Sequence, residues 1–210
     1  MIAVVDYGMG NLRSVAKALE RVGAEVEVTA DPDCIAAAAG VVLPGVGAFG
    51  RCMENLRAAG LEAAVRRAAR SDRPFLGVCV GMQILFDESE EFGPVRGLGI
   101  LRGRVRRFRP GRPDLKVPHM GWNRLTVVRR SPLLRGVPEG SFAYFVHSYY
   151  VDGVDPAIVT TTTDYGREFV SSVQWRNLYA TQFHPEKSQA VGLRMLANFA
   201  ALCGYGGASP

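Results

Sequence analysis

The chain has 210 residues, of which 48% are hydrophobic and 21% charged, and its formal net charge is +5. These values are typical of a globular protein that is large enough for one domain with a full core. No apolar run reaches the length that a membrane-spanning helix needs. The first residues reach Asp6 without a basic n-region, and the four cysteines show no paired spacing. We therefore expect a cytoplasmic protein with reduced thiols.

The densest positive charge lies in one arginine-rich stretch. Its members are Arg102, Arg104, Arg106, Arg107, Arg109 and Arg112. The first three alternate along a predicted strand and therefore share one face, and no aromatic stacking platform accompanies them. We predict a solvated face, or a patch for an anionic partner, rather than a nucleic-acid site.

In the first half of the chain, short apolar runs alternate with helical patterns. Apolar spacing predicts a helix over 11–22, further helical segments over 49–70, interrupted near Gly60, and another over 80–86. The strands predicted between them are 2–5, 25–28, 41–43 and 74–78. Strands separated by helices indicate βαβ units, so the fold class we expect is α/β, with a doubly wound, mostly parallel central sheet and flanking helices.

The second half changes to strand-like segments separated by Pro, Gly, Asn and Asp. These segments are 100–107, 124–128, 142–150, 157–163, 169–174 and 179–183, and a last helix is predicted over 190–202. We expect an additional antiparallel or mixed sheet attached to the doubly wound core. The domain prediction is one unit over 1–203, followed by a flexible tail at 204–210.

The pentapeptide Gly77-Val78-Cys79-Val80-Gly81 follows an apolar strand and precedes a helix. This is the thiol version of a nucleophile elbow, in which glycines relieve crowding at a sharp turn whose nucleophile has a strained backbone. The N-terminus of the following helix favours the thiolate, and the N–H of Val80 is placed to bind an oxyanion. The alternative is a buried structural cysteine, which is also the role that we expect for Cys34, Cys52 and Cys203.

A histidine and a carboxylate lie two residues apart in His184-Pro185-Glu186. The proline keeps His184 out of the right-handed helical region, and in an extended chain the side chains at 184 and 186 share a side. Glu186 can then accept a hydrogen bond from one ring nitrogen while the other faces Cys79. The same tripeptide is also suited to a helix start, and the two interpretations are compatible.

A glycine-rich loop, Pro44-Gly45-Val46-Gly47, follows the third predicted strand. Neighbouring strands of an open parallel sheet bring their carboxyl ends to one crevice, so this loop could supply a second oxyanion donor. Its glycines would equally serve a turn before a helix.

The segments 77–83 and 184–186 together resemble the motifs of the triad, or class I, glutamine amidotransferases. Segments 6–12, 44–47 and 118–123 make the likeness more specific and extend it over nearly the whole chain. They resemble the glutaminase subunits of imidazole glycerol phosphate synthases, a branch that serves histidine biosynthesis. Val80 stands where the family usually has Leu or Ala, but only its backbone is needed.

The resemblance implies hydrolysis of L-glutamine to L-glutamate and ammonia through a thioester on Cys79. His184 would carry the proton to the leaving ammonia, and Glu186 would orient His184. The implied oxyanion hole consists of Val80, Val46 and Gly47, and the implied glutamine pocket of Gly47, Gln83, His147, Ser148 and Tyr149.

The resemblance also implies a partner, a cyclase subunit folded as a (β/α)₈ barrel, in a heterodimer. Ammonia would pass to it through an internal channel and enter the ring closure that gives imidazole glycerol phosphate and an aminoimidazole carboxamide ribotide. The residues implied at this interface are Asn11, Lys17, Pro118, Met120, Trp122 and Lys187. Trp122 could instead pack on the core as a strand residue, and Asn11 could instead cap a helix. For His119 we expect a structural or an interface role.

Three other functions stay open. They are another triad amidotransferase subunit, such as one that serves pyridoxal phosphate synthesis, a free-standing cysteine hydrolase, and a redox sensor that uses the elbow thiol. Gly8 and Gly10 begin like a dinucleotide fingerprint, but Arg13 replaces its third glycine, so no cofactor is predicted. No cysteine or histidine spacing is typical of a metal site, and none is predicted.

Overall fold

The computed structural model describes residues 1–109, 111 and 114–206. Arg112 of the arginine-rich stretch and residues 207–210 of the predicted tail lie outside this part. In chain order, the first half comprises β1 (Ile2–Val5), α1 (Leu12–Arg21), β2 (Val26–Thr29), α2 (Pro32–Ala37), β3 (Gly40–Gly45), α3 (Phe49–Ala58), α4 (Glu62–Arg70), β4 (Phe75–Cys79) and α5 (Val80–Gln83).

The second half is richer in strands, as its turn signals predict. Its elements are β5 (Glu88–Ser89), β6 (Val95–Arg96), β7 (Arg104–Arg107), β8 (His119–Arg124), β9 (Thr126–Val127), β10 (Phe142–His147), β11 (Tyr149–Asp152), β12 (Val159–Asp164), β13 (Glu168–Trp175), β14 (Leu178–Thr181) and α6 (Gln189–Leu202). In the described part of the chain, three 3₁₀ turns each begin at a proline: Pro132–Leu134, Pro156–Ile158 and Pro185–Lys187.

The central sheet has eight strands in the order β2-β1-β3-β4-β14-β13-β12-β9. The first five strands run parallel, and the last three pair antiparallel. The chain moves outward from β1 to β2 and then back to β3, so right-handed crossovers place α1 on one face and α2 with α4 on the other. The contacts of α1 with α6 and of α2 with α4 agree with this placement. The predicted fold class is confirmed: the sheet is doubly wound and mostly parallel, with flanking helices.

Two smaller sheets form the additional layer. One pairs β10 with β8, and the other has the order β11-β7-β5-β6. The single strand predicted over 142–150 is therefore wrong as one element. Its first part pairs His147 with His119, whereas its second part pairs Tyr149 with Arg107, and the chain changes partners at Ser148.

Other predicted boundaries differ as well. The helix predicted over 80–86 is a single turn, because the carbonyls of Ile84, Leu85 and Phe86 accept hydrogen bonds from residues 98–101. The strand predicted over 179–183 ends at Thr181. The strand predicted over 100–107 begins at Arg104, and α2 was not predicted.

The arginine-rich stretch is partly paired within the protein. Arg104 lies 2.9 Å from Glu88, and Arg106 lies 3.1 Å from Asp152, both on neighbouring strands of the four-stranded sheet. These exposed ion pairs are typical of a solvated face. Within the described part of the chain, no helix is long and apolar enough to cross a membrane.

Candidate active site

The site lies where three neighbouring parallel strands end. Gly45 at the end of β3 pairs with Cys79 at the end of β4, and Thr181 at the end of β14 pairs with Val78. The glycine-rich loop, the elbow and the segment that leads to His184 therefore leave the sheet side by side. This is the crevice that an open parallel sheet offers to ligands.

Cys79 has the strained backbone that the sequence predicts. Its φ is 55° and its ψ −114°, a combination that a residue with a side chain rarely adopts. The turn is crowded: a Cβ at Gly81 would meet the carbonyl oxygen of Leu43, and one at Gly77 would lie 2.9 Å from the carbonyl oxygen of Gly81. The glycines are required because neighbouring backbone fills the space that a side chain would need.

His184 and Glu186 form a buried pair. His184 Nδ1 lies 2.7 Å from Glu186 Oε1, and both side chains are 2% exposed. The backbone of His184 is extended, at φ −99° and ψ 99°, before the turn that begins at Pro185. Burial disfavours the imidazolium, but the neighbouring Cys79 sulfur and the Glu186 carboxylate outweigh it and raise the pKa of His184 to about 10. The resting site therefore favours a charged imidazole.

Besides His184, the sulfur of Cys79 has an amide and a carbonyl group near it. The side-chain amide Nε2 of Gln182 lies 3.8 Å from it, and the thiol can donate to the carbonyl of Val146 at 4.0 Å. Among the described residues, Nε2 of His184 and Oε2 of Glu186 are buried without a hydrogen-bond partner. Unsatisfied buried polar atoms are rare and occur at sites where a ligand or water completes the bonding.

A pocket of about 310 Å³ opens above the thiol. Every residue predicted for the oxyanion hole and for the glutamine pocket borders it. Its lining is Val46, Gly47, Cys79, Val80, Gln83, Glu91, Pro118, Val146, His147, Ser148, Tyr149 and His184. Glu91 and Val146 were not predicted, and Pro118 was predicted only for the partner surface. The individual roles of these residues stay predictions.

The glycine-rich loop is fixed at two points. Tyr7 donates its hydroxyl to the Pro44 carbonyl at 2.7 Å, and the Cys52 thiol lies 3.5 Å from the Val46 carbonyl. Gly47 has a φ of +84°, which a residue without a side chain adopts at no steric cost. The exposed side chain of Val46 projects from the loop.

Gln83 is buried, and its amide group is bonded within the protein. Nε2 of Gln83 donates to the Tyr149 carbonyl at 2.9 Å and to Oε1 of Gln182 at 3.0 Å. Gln182 was missed from the sequence. Its position two residues before His184 in an extended chain was the signal that could have placed both side chains on one side.

The residues predicted to face a partner lie on elements that touch one another. Met120 is 62% exposed and Trp122 46% exposed on β8. The rings of Trp122 and Tyr144 are 6.0 Å apart, and Lys187 Nζ lies 5.8 Å from the Tyr144 ring. The helix α1, which carries Lys17, contacts the turn Pro185–Lys187. Lys17, Pro118 and Lys187 are exposed.

Some predictions of local bonding differ from the structure. Asn11 occupies the N-cap of α1, but its side chain makes no capping hydrogen bond. Asp6 closes a turn, because its Oδ1 accepts from the Gly8 N–H at 3.0 Å. Cys52 and Cys203 are buried as predicted, whereas Cys34 is half-buried.

The described residues include no cluster of His, Cys, Asp and Glu that could hold a metal ion.

A strained elbow thiol beside a charged imidazole and a carboxylate, at the carboxyl edge of a parallel sheet, is typical of enzymes that work through a thioester. The family model for class I glutamine amidotransferases matches residues 3–203, and the chain belongs to this family.

Curated relatives place the chain more narrowly, in the HisH branch of that family. The imidazole glycerol phosphate synthase subunit HisH of Syntrophotalea carbinolica is 54% identical over 204 residues, covering 95% of this chain and 98% of the relative. HisH of Geobacter sulfurreducens is 53% identical over 202 residues, with 94% and 97% covered. HisH of Moorella thermoacetica is 53% identical over 206 residues, with 98% and 97% covered.

Solved structures share the fold. A crystal structure of a glutamine amidotransferase has a TM-score of 0.74 at 21% identity and covers 97% of this chain and 100% of its own. The glutaminase domain of Trypanosoma brucei CTPS, with bound acivicin, has a TM-score of 0.65 at 19% identity, with 100% and 96% covered. At these identities the likeness concerns the fold alone.

Proposed function

We propose that the protein is the glutaminase subunit of an imidazole glycerol phosphate synthase in histidine biosynthesis. The observation that carries the proposal is that the sequence is more than 50% identical to HisH subunits over nearly the full length of both chains. The catalytic unit is the single domain over residues 1–203. The subunit hydrolyses L-glutamine to L-glutamate and delivers the ammonia to a partner.

The reaction begins at Cys79. The thiolate attacks the side-chain carboxamide carbon of glutamine, and the C–N bond breaks as His184 gives its proton to the leaving ammonia. The thioester that results divides the hydrolysis of a poor electrophile into two easier steps. Water then attacks the thioester while His184 takes one of its protons. Glutamate leaves, and the thiolate and the imidazolium are restored.

The raised pKa of His184 supports this order of events. A charged imidazole at rest means that the proton needed by the leaving group is already in place. Glu186 keeps Nδ1 of His184 hydrogen-bonded, so Nε2 is the nitrogen that exchanges the proton. The backbone N–H groups of Val80 and of the loop at Val46 and Gly47 bind the oxyanion of the tetrahedral intermediate.

The remaining pocket residues bind the substrate. Gln83, His147, Ser148 and Tyr149 border the space beside the thiol and hold the glutamine, partly through backbone groups. Gln83 and His147 already bond to the Tyr149 carbonyl, so the pocket wall is formed before the substrate arrives. A preformed wall lowers the cost of orienting the substrate.

The partner is a cyclase subunit with a (β/α)₈ barrel. The surface formed by Asn11, Lys17, Pro118, Met120, Trp122 and Lys187 faces it, and the closed interface passes ammonia before water protonates it. In the partner, ammonia enters the ring closure that gives imidazole glycerol phosphate and the aminoimidazole carboxamide ribotide. Pro118 borders both the pocket and this surface, which supports a short path between them.

The partner also controls the loop at 45–47. Two glycines make a peptide reorientation in this loop cheap, so the oxyanion donors are set only when the loaded cyclase binds. Glutamine hydrolysis is measured with the subunit alone, with cyclase, and with cyclase and its nucleotide ligand. A rise at each step is expected. Equal rates in all three would contradict this coupling.

The experiment that tests the function is co-purification with a candidate barrel subunit, followed by transfer of labelled amide nitrogen from glutamine into the product. Cys79→Ala is expected to abolish this transfer and to leave synthesis from added ammonium intact. Full glutaminase activity in isolation, without transfer to a partner, would favour a free-standing hydrolase. Glutamine-dependent synthesis by Cys79→Ala would refute the role of the thiol.

A further inference from the structure

Two histidines outside the triad are buried side by side against the pocket. His119 is 2% exposed on β8, and His147 is 6% exposed at the end of β10. The two residues are directly paired across the antiparallel ribbon of these strands. Burial lowers the pKa of His119 to about 4 and is the main cause that lowers the pKa of His147 to about 3. Both imidazoles are therefore neutral at physiological pH.

The hydrogen bonds at one end of the pair fix a tautomer. His147 Nδ1 lies 2.8 Å from the Tyr149 carbonyl oxygen, which can only accept, so this nitrogen carries the proton. Nε2 of the neutral ring is then an acceptor. It lies 3.0 Å from Nδ1 of His119, which must donate to it.

The hydrogen bonds of Asn123, at the opposite end of the histidine pair, lead independently to the same tautomer of His119. The side-chain nitrogen of Asn123 lies 2.8 Å from the Asp164 carbonyl, and its side-chain oxygen accepts from the Arg124 N–H at 2.7 Å, so the amide orientation is determined. This nitrogen also lies 3.2 Å from Nε2 of His119. His119 therefore accepts at Nε2 and carries its proton on Nδ1.

The result is an unbroken directional relay from Asn123 through His119 and His147 to the Tyr149 carbonyl. At that carbonyl the relay meets Gln83, whose amide donates to the same oxygen. The other end lies on β8, the strand that carries the exposed side chains of Met120 and Trp122. The relay therefore connects the proposed partner surface with the wall of the thiol pocket.

Packing holds the relay in one geometry. The His119 ring stacks on Tyr165 at 4.0 Å and on Phe145 at 4.8 Å. Phe108 lies edge-on to both imidazoles, 6.3 Å from His119 and 5.2 Å from His147. An imidazole fixed between aromatic rings cannot compensate by rotation when a bonding partner is lost. A displacement at one end therefore reaches the other end through the hydrogen bonds.

We propose that His119 is a positioning residue for glutamine hydrolysis, which acts through His147 on the Tyr149 carbonyl and the pocket wall anchored there. The inference rests on the proposed glutaminase function and deepens it, because it names the bonds through which the strand at the partner surface supports the substrate pocket. His119 does not touch the reacting atoms.

The test compares variants of the protein in complex with the cyclase, chosen so that the loss of a hydrogen bond is separated from the loss of packing. His119→Phe keeps a ring between Tyr165 and Phe145 but leaves Nε2 of His147 without its donor. We expect the KM for glutamine to rise about tenfold, corresponding to about 1.4 kcal/mol, with kcat within about threefold of wild type. The rate of Cys79 alkylation by iodoacetamide stays within about twofold, because the triad is unchanged.

Two amide side chains that differ by one methylene group supply the rescue and its control. His119→Asn places its amide nitrogen near the position of Nδ1 and is expected to restore KM to within about threefold of wild type. His119→Gln places its amide near Nε2 and is expected to behave like His119→Phe, which it replaces if that variant does not fold. Phe108→Leu loosens the packing of both rings without removing a hydrogen bond, so it is expected to lower stability while KM stays near the wild-type value.

The outcomes are separable. A normal KM in both His119→Phe and His119→Gln would overturn the relay, and so would nitrogen chemical shifts that show a protonated Nε2 on either imidazole of the wild-type protein. Protonated Nδ1 on both rings, with a raised KM in these variants, supports it. Wild-type complex that fails to hydrolyse glutamine would contradict the proposed function itself.

Discussion

The side-chain amide of Gln182 joins the thiol to the substrate wall: its Nε2 lies 3.8 Å from Cys79 Sγ, and its Oε1 accepts from Gln83 at 3.0 Å. Gln182 is fully buried directly after β14. Because one amide contacts both groups, it holds the sulfur and the Gln83 side chain at a fixed separation.

The first prediction concerns this amide. Gln182→Met keeps a side chain of similar size but removes both polar contacts and leaves the Gln83 amide with one acceptor fewer. We expect kcat/KM for glutamine to fall about tenfold or more, and stability to fall by about 1–3 kcal/mol. Steady-state kinetics with the cyclase and urea unfolding measure the two effects. Gln174→Met on β13 is the matched substitution away from the thiol, and it should leave kcat/KM unchanged; an equal loss in both variants would speak against a specific role for Gln182.

The second prediction concerns the buried carboxylate. Glu186→Gln keeps the shape of the side chain but removes the charge that helps to raise the pKa of His184. The pKa should fall, so less imidazolium is present to protonate the leaving ammonia. We expect kcat to fall by about 10²–10⁴-fold.

Ammonium-dependent synthesis by the complex is the control for Glu186→Gln, because it bypasses the thioester and should keep its wild-type rate. The pH dependence of glutaminase kcat should also shift to lower pH in the variant. An unchanged pH profile would mean that Glu186 does not set the protonation of His184.

The third prediction concerns the crowding behind the elbow. A methyl group at Gly81 would overlap the Leu43 carbonyl, which belongs to the sheet and cannot move away. We expect Gly81→Ala to destabilise the protein by roughly 3 kcal/mol or more or to prevent folding. Gly50→Ala in α3 is the control, because its Cβ would lie 3.6 Å from Val95, an ordinary contact. Gly50→Ala should be as stable as the wild type or up to about 1 kcal/mol more stable. Chemical denaturation of both variants measures these changes in stability.

The fourth prediction concerns the proposed partner surface. Trp122 exposes 46% of its surface on β8, and aromatic residues of this kind dominate binding energies at interfaces. Trp122→Ala should weaken the affinity for the cyclase by about tenfold or more, as measured by titration calorimetry. Val128→Ala removes an exposed apolar side chain just after β9 and should bind normally. Normal binding by Trp122→Ala would place the interface elsewhere.

The fifth prediction concerns acid stability. His119 and His147 have folded pKa values of about 4 and about 3, below the usual value near 6.5 of the unfolded chain. Each group therefore contributes stability that is present above about pH 6.5 and is lost as the pH falls toward the folded pKa. For each histidine, the free energy of unfolding is expected to fall by roughly 1.4 kcal/mol per pH unit in that window. His184 has a raised pKa, so its contribution is complete below about pH 6.5 and is lost only as the pH rises toward 10.

Urea unfolding of wild type and His119→Asn between pH 7 and pH 5 measures the acid effect. The variant lacks one of the two buried imidazoles, so its stability should depend less steeply on pH by roughly 1.4 kcal/mol per unit. Comparing the two proteins removes the contribution of the carboxylates that they share. Parallel curves would mean that His119 is not held neutral by the fold.

Local sequence patterns predicted the parallel half of the fold and the nucleophile elbow. The alternation of apolar runs and helices predicted β1, β3 and β4, and the glycines around Cys79 predicted its backbone strain. The segment 142–150 could not be divided from the sequence, because its strand pattern continues through Ser148. Only the pairing partners, β8 on one side and β7 on the other, show where one sheet ends.

The polar contacts around the site were less predictable for the same reason. Glu91 reaches the site through long-range folding and belongs to no pattern that marks a binding residue, whereas Gln182 could have been found from its position two residues before His184. The pairing of His119 with His147 depends on the register of β8 against β10, which the sequence does not specify. Residues next to a nucleophile or a base could be predicted, whereas those that arrive from distant strands could not.

The change of sheets at Ser148 limits how this protein can vary in length. Residues 147 and 149 are each held in a separate register, so one inserted residue between them would turn the side chains of one strand to its opposite face. Insertions and deletions in natural or engineered variants should therefore avoid this position. The exposed turn at Gly153, which has open space around it, is a better place to insert an epitope.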